Sequence, residues 1–222
     1  MSPTLNERDP AETWEKRWAA AGRGGGLTGL GRWMLRAKTR ALREVLSGME
    51  AASMIEIGCG LGHTGLIFRG AGLEYFGIDL SPTAVSVSRS RGLRAERMDL
   101  RDVRDMFDLV ASDGLLEHTL DFEPLAREMM RISRSRVLLI QPNHGSVPGK
   151  LLARLSEIFR GRTNVREYDH PIEDFVRVFA AGGFALVRNV PLFADVFRLL
   201  LFERRPDDRA AGGRARDCIC ST

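Results

Sequence analysis

The sequence lacks any long hydrophobic run. A helix that crosses a membrane needs about 18 or more consecutive apolar residues, whereas the apolar residues of this chain are scattered in short runs. The first 30 residues are also too polar and too acidic for a secretory signal peptide. We therefore expect a cytoplasmic protein with no membrane span. Its 222 residues are enough for one α/β domain with a substantial core.

Cysteine is nearly absent. The three cysteines, Cys59, Cys218 and Cys220, have neither the number of a disulfide framework nor the spacing of a metal site. Cys59 stands alone in a glycine-rich stretch, where we expect it to fill a small buried gap. Neither a structural disulfide nor a bound metal is therefore predicted.

Lysine is scarce as well. Lys and Arg together number 33, and only Lys16, Lys38 and Lys150 are lysines. The net charge of +4 thus comes from arginines spread over the whole chain. A nucleic-acid surface is indicated by clustered basic residues, so no nucleic-acid partner is expected. The densest arginine group lies in residues 204–222, whose low apolar content predicts a disordered tail.

What the sequence does contain is a glycine-rich motif within residues 53–68. A short apolar run leads into Gly58, Gly60 and Gly62, and a segment of helical apolar periodicity follows, which predicts a strand, a tight turn and a helix. Glycine is needed where a ligand lies against the backbone, because a Cβ would occupy the ligand's space. The loop is thus a candidate floor for a nucleotide cofactor. The NAD fingerprint requires its third glycine where His63 stands, which disfavours a nicotinamide dehydrogenase.

Four motifs in sequence order resemble the class I, Rossmann-like methyltransferases that use S-adenosyl-L-methionine (SAM), in particular those that act on small molecules. They are the glycine motif with Glu56 before it, the strand that ends at Asp79, residues 107–118, and residues 127–140 with a helix to residue 134. The resemblance covers about residues 51–143. It implies an α/β fold with a seven-stranded, mostly parallel sheet, an antiparallel last strand and helices on both faces.

The resemblance also implies a SAM site at the carboxyl ends of the first four strands, with S-adenosyl-L-homocysteine (SAH) as the product. Asp79 would accept hydrogen bonds from the ribose hydroxyls, and Asp99 from the adenine amino group. Asp79 could instead cap the next helix, and Asp99 could belong to a surface ion pair. The predicted cofactor-binding residues are Glu56, Gly58, Cys59, Gly60, Gly62, Asp79, Leu80, Asp99, Leu100, Ser112 and Asp113.

Three histidines are the candidate catalytic residues. His118 follows the fourth predicted strand and is the best-placed proton acceptor, since a neutral imidazole works near physiological pH. His144 and His170 border residues 142–175, where the resembling family places its variable acceptor region. Two of them have a structural alternative, a hydrogen bond for His118 and a helix cap for His170. These histidines favour oxygen over nitrogen or carbon as the methylated atom.

Residues 1–48 are predicted to form an N-terminal helical cap or lid, with helices at residues 11–21 and 32–46 and a flexible glycine-rich joint at residues 22–31. Trp14 and Trp18 stand four residues apart and so share one helix face. That face either packs the helix on the domain or closes over the cofactor or acceptor, a movement that a flexible joint would permit.

The remaining chain is divided by the same patterns. Residues 49–203 are predicted to be the SAM-binding methyltransferase domain, and the acceptor region within it includes a helix at residues 148–159. Residues 196–203 match the closing antiparallel strand of the resembling family, although their apolar spacing would also suit a helix. The partners expected are a small-molecule acceptor and, at most, a second copy of the chain.

Two further classes of function stay open from the sequence. A nucleic-acid methyltransferase flips its target base and stacks it on aromatic side chains, but no Asn-Pro-Pro-aromatic tetrad follows the fourth predicted strand. A non-catalytic SAM-binding protein could use the same fold, since a fold does not imply an activity. A SAM-dependent methyltransferase is the function that the sequence favours.

Overall fold

A computed structural model of the chain describes residues 10–23, 29–147 and 167–206. Within these residues seven strands form one sheet: β1 (Ser53–Ile57), β2 (Glu74–Asp79), β3 (Ala95–Arg97), β4 (Phe107–Asp113), β5 (Ser133–Pro142), β6 (Phe184–Leu192) and β7 (Phe197–Arg204). Their order across the sheet is β3-β2-β1-β4-β5-β7-β6, and β7 is antiparallel to both of its neighbours. This arrangement confirms the predicted fold.

The described helices are α1 (Pro10–Arg23), α2 (Gly29–Leu46), α3 (His63–Gly70), α4 (Pro82–Ser90), α5 (Glu123–Ile132) and α6 (Ile172–Ala181), with short 3-10 turns at Leu100–Asp102 and Leu116–His118. Local sequence explains their starts. At α4, the Ser81 side chain accepts a hydrogen bond from the Ala84 N–H, and Pro82 takes the first helical position. None of the helices in the described ranges is long and apolar enough to cross a bilayer.

Two hydrophobic layers cover the faces of the sheet. On one face, α5 and α6 pack against strand residues such as Ile55 and Val110. On the other face, α2 and α3 pack against strand residues such as Met54 and Leu109. Neighbouring residues of one strand thus enter opposite layers, as the two-residue repeat of a strand requires. Met129 is fully buried in the first layer, so the methionines of α5 fill the core.

The topology brings the predicted site residues to one edge. β1 lies between β2 and β4. The chain adds β2 and β3 on one side of β1 and then crosses over to add β4 and β5 on the other side. Ligands of open α/β sheets bind in the crevice at such a switch point, beyond the carboxyl ends of the strands. The register pairs Ile57 with Ile78 and with Ser112, which places the glycine loop, Asp79 and the end of β4 together.

Three predicted boundaries were wrong. The flexible joint does not span residues 22–31, because both of its ends are helical: Arg23 closes α1 and Gly29 opens α2, while residues 24–28 lie outside the described ranges. The fifth helix does not continue to residue 134, because the backbone is already extended at Ser133. The tail does not begin at residue 204, since Arg204 ends β7 and the Arg205 N–H donates to the Gly183 carbonyl at 2.8 Å.

Two other predictions about secondary structure have different outcomes. The closing segment at residues 196–203 is strand β7, because its backbone pairs with β5 on one side and β6 on the other. The predicted helix at residues 148–159 lies outside the described residues, and so does the tail from residue 207 onward.

Candidate functional site

The loop after β1 has backbone angles that only glycine adopts readily. Gly60 has a φ of +50°, and a Cβ there would stand 2.9 Å from the Trp18 ring. Gly62 has a φ of +77°, and a Cβ there would stand 2.7 Å from both Leu93 Cδ1 and Ser88 Oγ. Gly60 therefore lets a ring lie against the loop, whereas Gly62 lets the loop pack against α4 and the segment after it.

Asp79, at the end of β2, organises this loop. Its Oδ2 accepts the Gly60 N–H at 2.9 Å, and its Oδ1 accepts the Ser81 N–H at 2.9 Å. Burial raises the pKa of the Asp79 carboxyl, although these hydrogen bonds act in the opposite direction. Each carboxylate oxygen can accept a second hydrogen bond. Asp79 thus holds the loop and keeps capacity for ligand hydroxyls.

Glu56 lies on β1 below the loop and is 1% exposed. Burial raises the pKa of its carboxyl to about 8, and its Oε2 accepts a 2.6 Å hydrogen bond from the Tyr75 hydroxyl. Gly77 pairs with Glu56 across the strands, and the lack of a side chain there leaves room for the Tyr75 ring. Sequence reasoning missed Tyr75, although strand alternation places Tyr75 and Gly77 on one face.

Helix α1 covers the loop. The Trp18 ring lies directly on Gly60. The Glu15 carboxylate accepts hydrogen bonds from Ser81 Oγ at 2.6 Å, from the Thr83 N–H at 3.1 Å and from the Thr83 hydroxyl. The hydrogen bond from Ser81, followed by those from Thr83, lowers the pKa of Glu15. Glu15 therefore binds the first turn of α4, next to Asp79, and was not predicted.

At the end of β4, Asp113 joins two elements that sequence reasoning did not connect with it. Its Oδ2 accepts hydrogen bonds from Lys38 Nζ on α2 and, at 2.6 Å, from Thr64 Oγ1 on α3. The neighbouring Ser112 is 1% exposed, and its hydroxyl has no hydrogen-bond partner among the described residues. The predicted methionine end of the cofactor site thus contains an ion pair and an unpaired hydroxyl.

Glu117 follows in the 3-10 turn after β4 and is 5% exposed. Its Oε2 has no hydrogen-bond partner within the part of the chain that the structure describes. Burial, reinforced by the negative charges of Glu167 and Asp113, raises the pKa of Glu117 to about 8, while a hydrogen bond from its own backbone and the charge of Arg17 on α1 act in the opposite direction. Glu117 was not among the predicted site residues, because nothing local in the sequence distinguishes a buried glutamate from an exposed one.

The three predicted histidines have different surroundings. The His118 ring packs edge-on against Trp14 at 4.8 Å between centroids, and its Nε2 lies 4.0 Å from Glu117 Oε1. The His170 Nε2 lies 2.8 Å from the Thr119 carbonyl oxygen. Since a carbonyl only accepts, this nitrogen carries the proton. The Nε2 of His144 is buried with no partner among the described residues.

A narrow cleft gathers the acceptor-side residues. Gln141 at the end of β5 is fully buried, and both its Oε1 and its Nε2 are without a hydrogen-bond partner in the described ranges. The cleft brings His144 and His170 together with Glu117, while the His118 ring is not part of its lining. The lining residues include Glu117, Gln141, His144, Tyr168, His170 and Phe175.

The remaining predicted cofactor residues have structural contacts. Asp99 caps the 3-10 turn and accepts two hydrogen bonds from the Arg101 guanidinium, at 2.9 and 2.6 Å, which lower the pKa of Asp99. The side chain of Leu100 lies in the hydrophobic core, and the Leu80 carbonyl accepts a 3.1 Å hydrogen bond from an arginine on β3. Cys59 packs in a small buried cluster, as expected. The Gly58 N–H, at the start of the loop, donates a hydrogen bond to the Ile78 carbonyl.

The part of the chain that contains this sheet edge is similar to known methyltransferases. Residues 55–140 match the protein-family model described as a methyltransferase domain. A stretch of 104 residues, 41% of this chain, is 33% identical to ajmaline N-methyltransferase of Rauvolfia serpentina and covers 36% of that protein. Norajmaline N-methyltransferase of the same plant is 32% identical over 93 residues, 36% of this chain and 32% of its own length. The chain thus spans about a third of the length of the curated relatives it matches.

Solved structures share the fold over a larger part of the chain. Magnesium protoporphyrin IX methyltransferase from Synechocystis PCC 6803, solved with bound SAH, superposes with a TM-score of 0.69 at 17% identity over 86% of this chain and 94% of that one. An O-methyltransferase family protein from Burkholderia thailandensis gives a TM-score of 0.59 at 20% identity over 77% and 57% of the two chains. At these identities the superpositions establish the fold.

Proposed function

We propose that this chain, whose residues 55–140 match the methyltransferase-domain family model, transfers the methyl group of SAM to a small-molecule acceptor and releases SAH. The observation that carries the proposal is the junction of Gly60 and Asp79, where a glycine-rich loop meets a buried carboxylate at the switch point of the sheet. Such a junction suits a nucleoside, because the ring can lie on the loop while its hydroxyls bind the carboxylate.

The residues present fit SAM. The Trp18 ring lies against Gly60, which shows that the backbone there accepts a flat group, and a nucleoside can take this place once the ring moves aside. Asp79 uses one hydrogen bond on each oxygen and retains a second acceptor position on each. We expect the glycine loop and Asp79 to hold the nucleoside and Ser112 with Asp113 to hold the methionine end. Bound SAM supplies an electrophilic methyl group on a positively charged sulfur.

The chain's own contribution to the rate is then positioning. Methyl transfer from a sulfonium requires the acceptor atom to be held in line with the bond that breaks. The cleft beside the end of β4 and β5 is the place where an acceptor would meet the methyl group. Neither a nucleophilic side chain nor a metal is needed for such a displacement.

We favour an oxygen acceptor, because the cleft contains groups that exchange protons, His144, His170 and Glu117, and removal of a hydroxyl proton makes the oxygen a better nucleophile. A nitrogen acceptor is the second candidate. It is supported by the two curated relatives, both of which are named N-methyltransferases.

We also propose that helix α1 acts as a lid over the cofactor, whereas α2 belongs to the hydrophobic core. Within the described residues, α1 contacts the loop through Trp18 and the first turn of α4 through Glu15. On the α1 side these contacts are made by side chains and not by a paired backbone, so α1 can leave the loop without breaking the sheet. A lid of this kind admits SAM and then excludes water from it.

Calorimetric titration tests the proposed function. We expect wild-type protein to bind SAM and SAH but not NAD, and Asp79→Ala to weaken binding on the order of 100-fold, since it removes charged acceptors for two hydroxyls. The matched control is Asp105→Ala, which removes an exposed aspartate outside the site. Circular dichroism confirms that each variant is folded. Binding of NAD, or equal SAM affinity in Asp79→Ala and wild type, would contradict the proposal.

A further inference from the structure

We propose that the buried Glu117 carboxyl and the Gln141 amide hold the hydroxyl group of a neutral aromatic acceptor, and that Glu117 Oε2 receives the hydroxyl proton during methyl transfer. This inference rests on the proposed function. The inference assigns the role of proton acceptor to a carboxyl group, whereas the sequence had suggested a histidine for this role.

The first observation is a concentration of unpaired polar atoms. Glu117 Oε2, both polar atoms of the Gln141 amide, and His144 Nε2 are buried, and none has a hydrogen-bond partner in the described part of the chain. All three side chains line one cleft. Buried polar groups are nearly always paired in folded proteins, so several unpaired groups on one cleft indicate a place for a polar ligand.

The donor and acceptor pattern specifies which polar group fits. An amide offers N–H donors and a carbonyl acceptor, and an ionised carboxyl only accepts. A hydroxyl satisfies both at once, because it donates its proton to Glu117 and its oxygen accepts from Gln141 Nε2. The ring-bearing residues Tyr168, His170 and Phe175 form another part of the lining. Rings stack favourably on a flat aromatic body, so the chemical class is a phenol. The cleft is closed in this structure, so an acceptor enters only when its walls move apart.

Charge favours a neutral acceptor over an ammonium ion. The charged or titratable groups that act on Glu117 are Arg17 on α1, Asp113 on β4 and Glu167, with His118 beside it and His144, His170 and Tyr168 on the cleft. Burial raises the pKa of Glu117 to about 8, so near neutral pH most molecules have an uncharged carboxyl. A cation would find little negative charge there, whereas a hydroxyl can hydrogen-bond to either form.

Glu117 is also suited to receive the proton. As the acceptor oxygen bonds to the methyl carbon, the sulfur–methyl bond breaks with its electron pair left on sulfur, and the hydroxyl proton passes to ionised Glu117. The protonated carboxyl later releases this proton to solvent. A general base works best when its pKa lies near the operating pH, and a carboxyl with an ordinary pKa would be much weaker. The His118 ring, in contrast, packs against Trp14 outside the cleft lining.

The first test needs no turnover. We would label the glutamate carboxyls with ¹³C, assign the Glu117 signal by its loss in Glu117→Gln, and follow it in the SAH-loaded and free protein while phenol or benzylamine is added. We expect phenol to move the Glu117 signal in wild type and to move it at least about tenfold less in Gln141→Leu. A response to benzylamine instead of phenol, or to neither probe, would overturn the inference.

The second test is a pH profile of methyl transfer to a set of simple phenols. In wild type, log kcat/KM should rise with a slope of one up to about pH 8 and then level off. Glu117→Gln should lose this rise and fall about 10²-fold or more, with part of the rate restored in Glu117→Asp. His118→Asn should keep the rise, and Glu128→Gln, a surface change on α5, should behave as wild type.

The two proposals fail in different ways. If wild-type protein binds neither SAM nor SAH, the proposed function fails, whatever phenol does at Glu117. If SAM binds with Asp79-dependent affinity but the Glu117 signal ignores phenol, or if His118→Asn and not Glu117→Gln removes the pH rise, the inference about Glu117 is wrong and the proposed function stands.

Discussion

The β1–β2 side and the β4–β5 side of the same sheet edge differ in whether their buried polar groups have hydrogen-bond partners within the protein. On the β1–β2 side, both Asp79 oxygens accept backbone N–H groups and Glu56 accepts the Tyr75 hydroxyl. On the β4–β5 side, Glu117 Oε2 and the whole Gln141 amide are unpaired among the described residues. On the first side each of these carboxylates already has a partner within the protein, whereas on the second side these polar atoms have none among the described residues.

This difference fits the two jobs that we propose for the edge. A cofactor shared by many enzymes can be held by a loop whose geometry is determined by its own backbone hydrogen bonds. An acceptor has to be recognised by groups that pair with it alone, and such groups are unpaired until it arrives. Retaining them costs stability, because a buried polar group without a partner forfeits its hydration.

The largest expected effect concerns a property that the two sides share. Burial raises the pKa of Glu56 and of Glu117 to about 8. The folded state therefore keeps protons that the unfolded chain releases above about pH 4.3. The free energy of unfolding is then highest near pH 4.5 and falls as the pH rises to about 8, by on the order of 3–5 kcal/mol per group.

Urea unfolding at intervals from pH 5 to pH 9 measures this slope. Glu56→Gln and Glu117→Gln should each remove part of it. The raised pKa of Asp79 acts in the same direction, while the lowered pKa values of Glu15, Asp99 and Asp108 matter only at lower pH. If the free energy of unfolding of the wild type did not change between pH 5 and pH 9, the raised pKa values of both Glu56 and Glu117 would be contradicted.

A pair of substitutions should separate the two sides by the sign of their effect on stability. Gln141→Leu replaces an unpaired buried amide with an apolar side chain of similar size, and we expect it to stabilise the fold by about 1 kcal/mol while lowering methyl transfer. Tyr75→Phe removes the hydroxyl that pairs with buried Glu56, and it should destabilise the fold by about 1–3 kcal/mol.

Both free energies of unfolding come from urea titrations at pH 7. If Gln141→Leu destabilises the protein as much as Tyr75→Phe does, the proposed difference between the two sides is wrong. Such a result would mean that the Gln141 amide has a structural partner and that its lack of bonding is not a feature of the acceptor side.

The smallest effect concerns the cover that α1 places over the β1–β2 side. Bound SAH should add contacts to Trp18 and slow trypsin cleavage after Arg23, the last residue of α1, by a few-fold. Glu15→Ala should speed the cleavage, since it removes the hydrogen bonds to Ser81 and Thr83. Mass spectrometry of the released N-terminal peptide measures both rates. Equal rates with and without SAH would show that α1 is not a lid.

Sequence reasoning was most successful where the signal is local. The turn from β1 into α3 was predicted from three closely spaced glycines, and the closing strand β7 was found where the sequence placed it, at residues 196–203. It was wrong about the joint at residues 22–31, where glycine content suggested flexibility, because α1 continues to Arg23 and α2 begins at Gly29.

The sequence by itself determined the order of strands and helices, the glycine loop and the acid at the end of β2, since each depends on a periodicity or a turn of a few residues. Only the tertiary structure decided which side chains meet. Lys38 pairs with Asp113 across 75 positions, Glu15 reaches the first turn of α4, and Glu117 and Gln141 line one cleft. These contacts, and the burial that raises the pKa of Glu117, arise from the packing of separate elements, which no local pattern encodes.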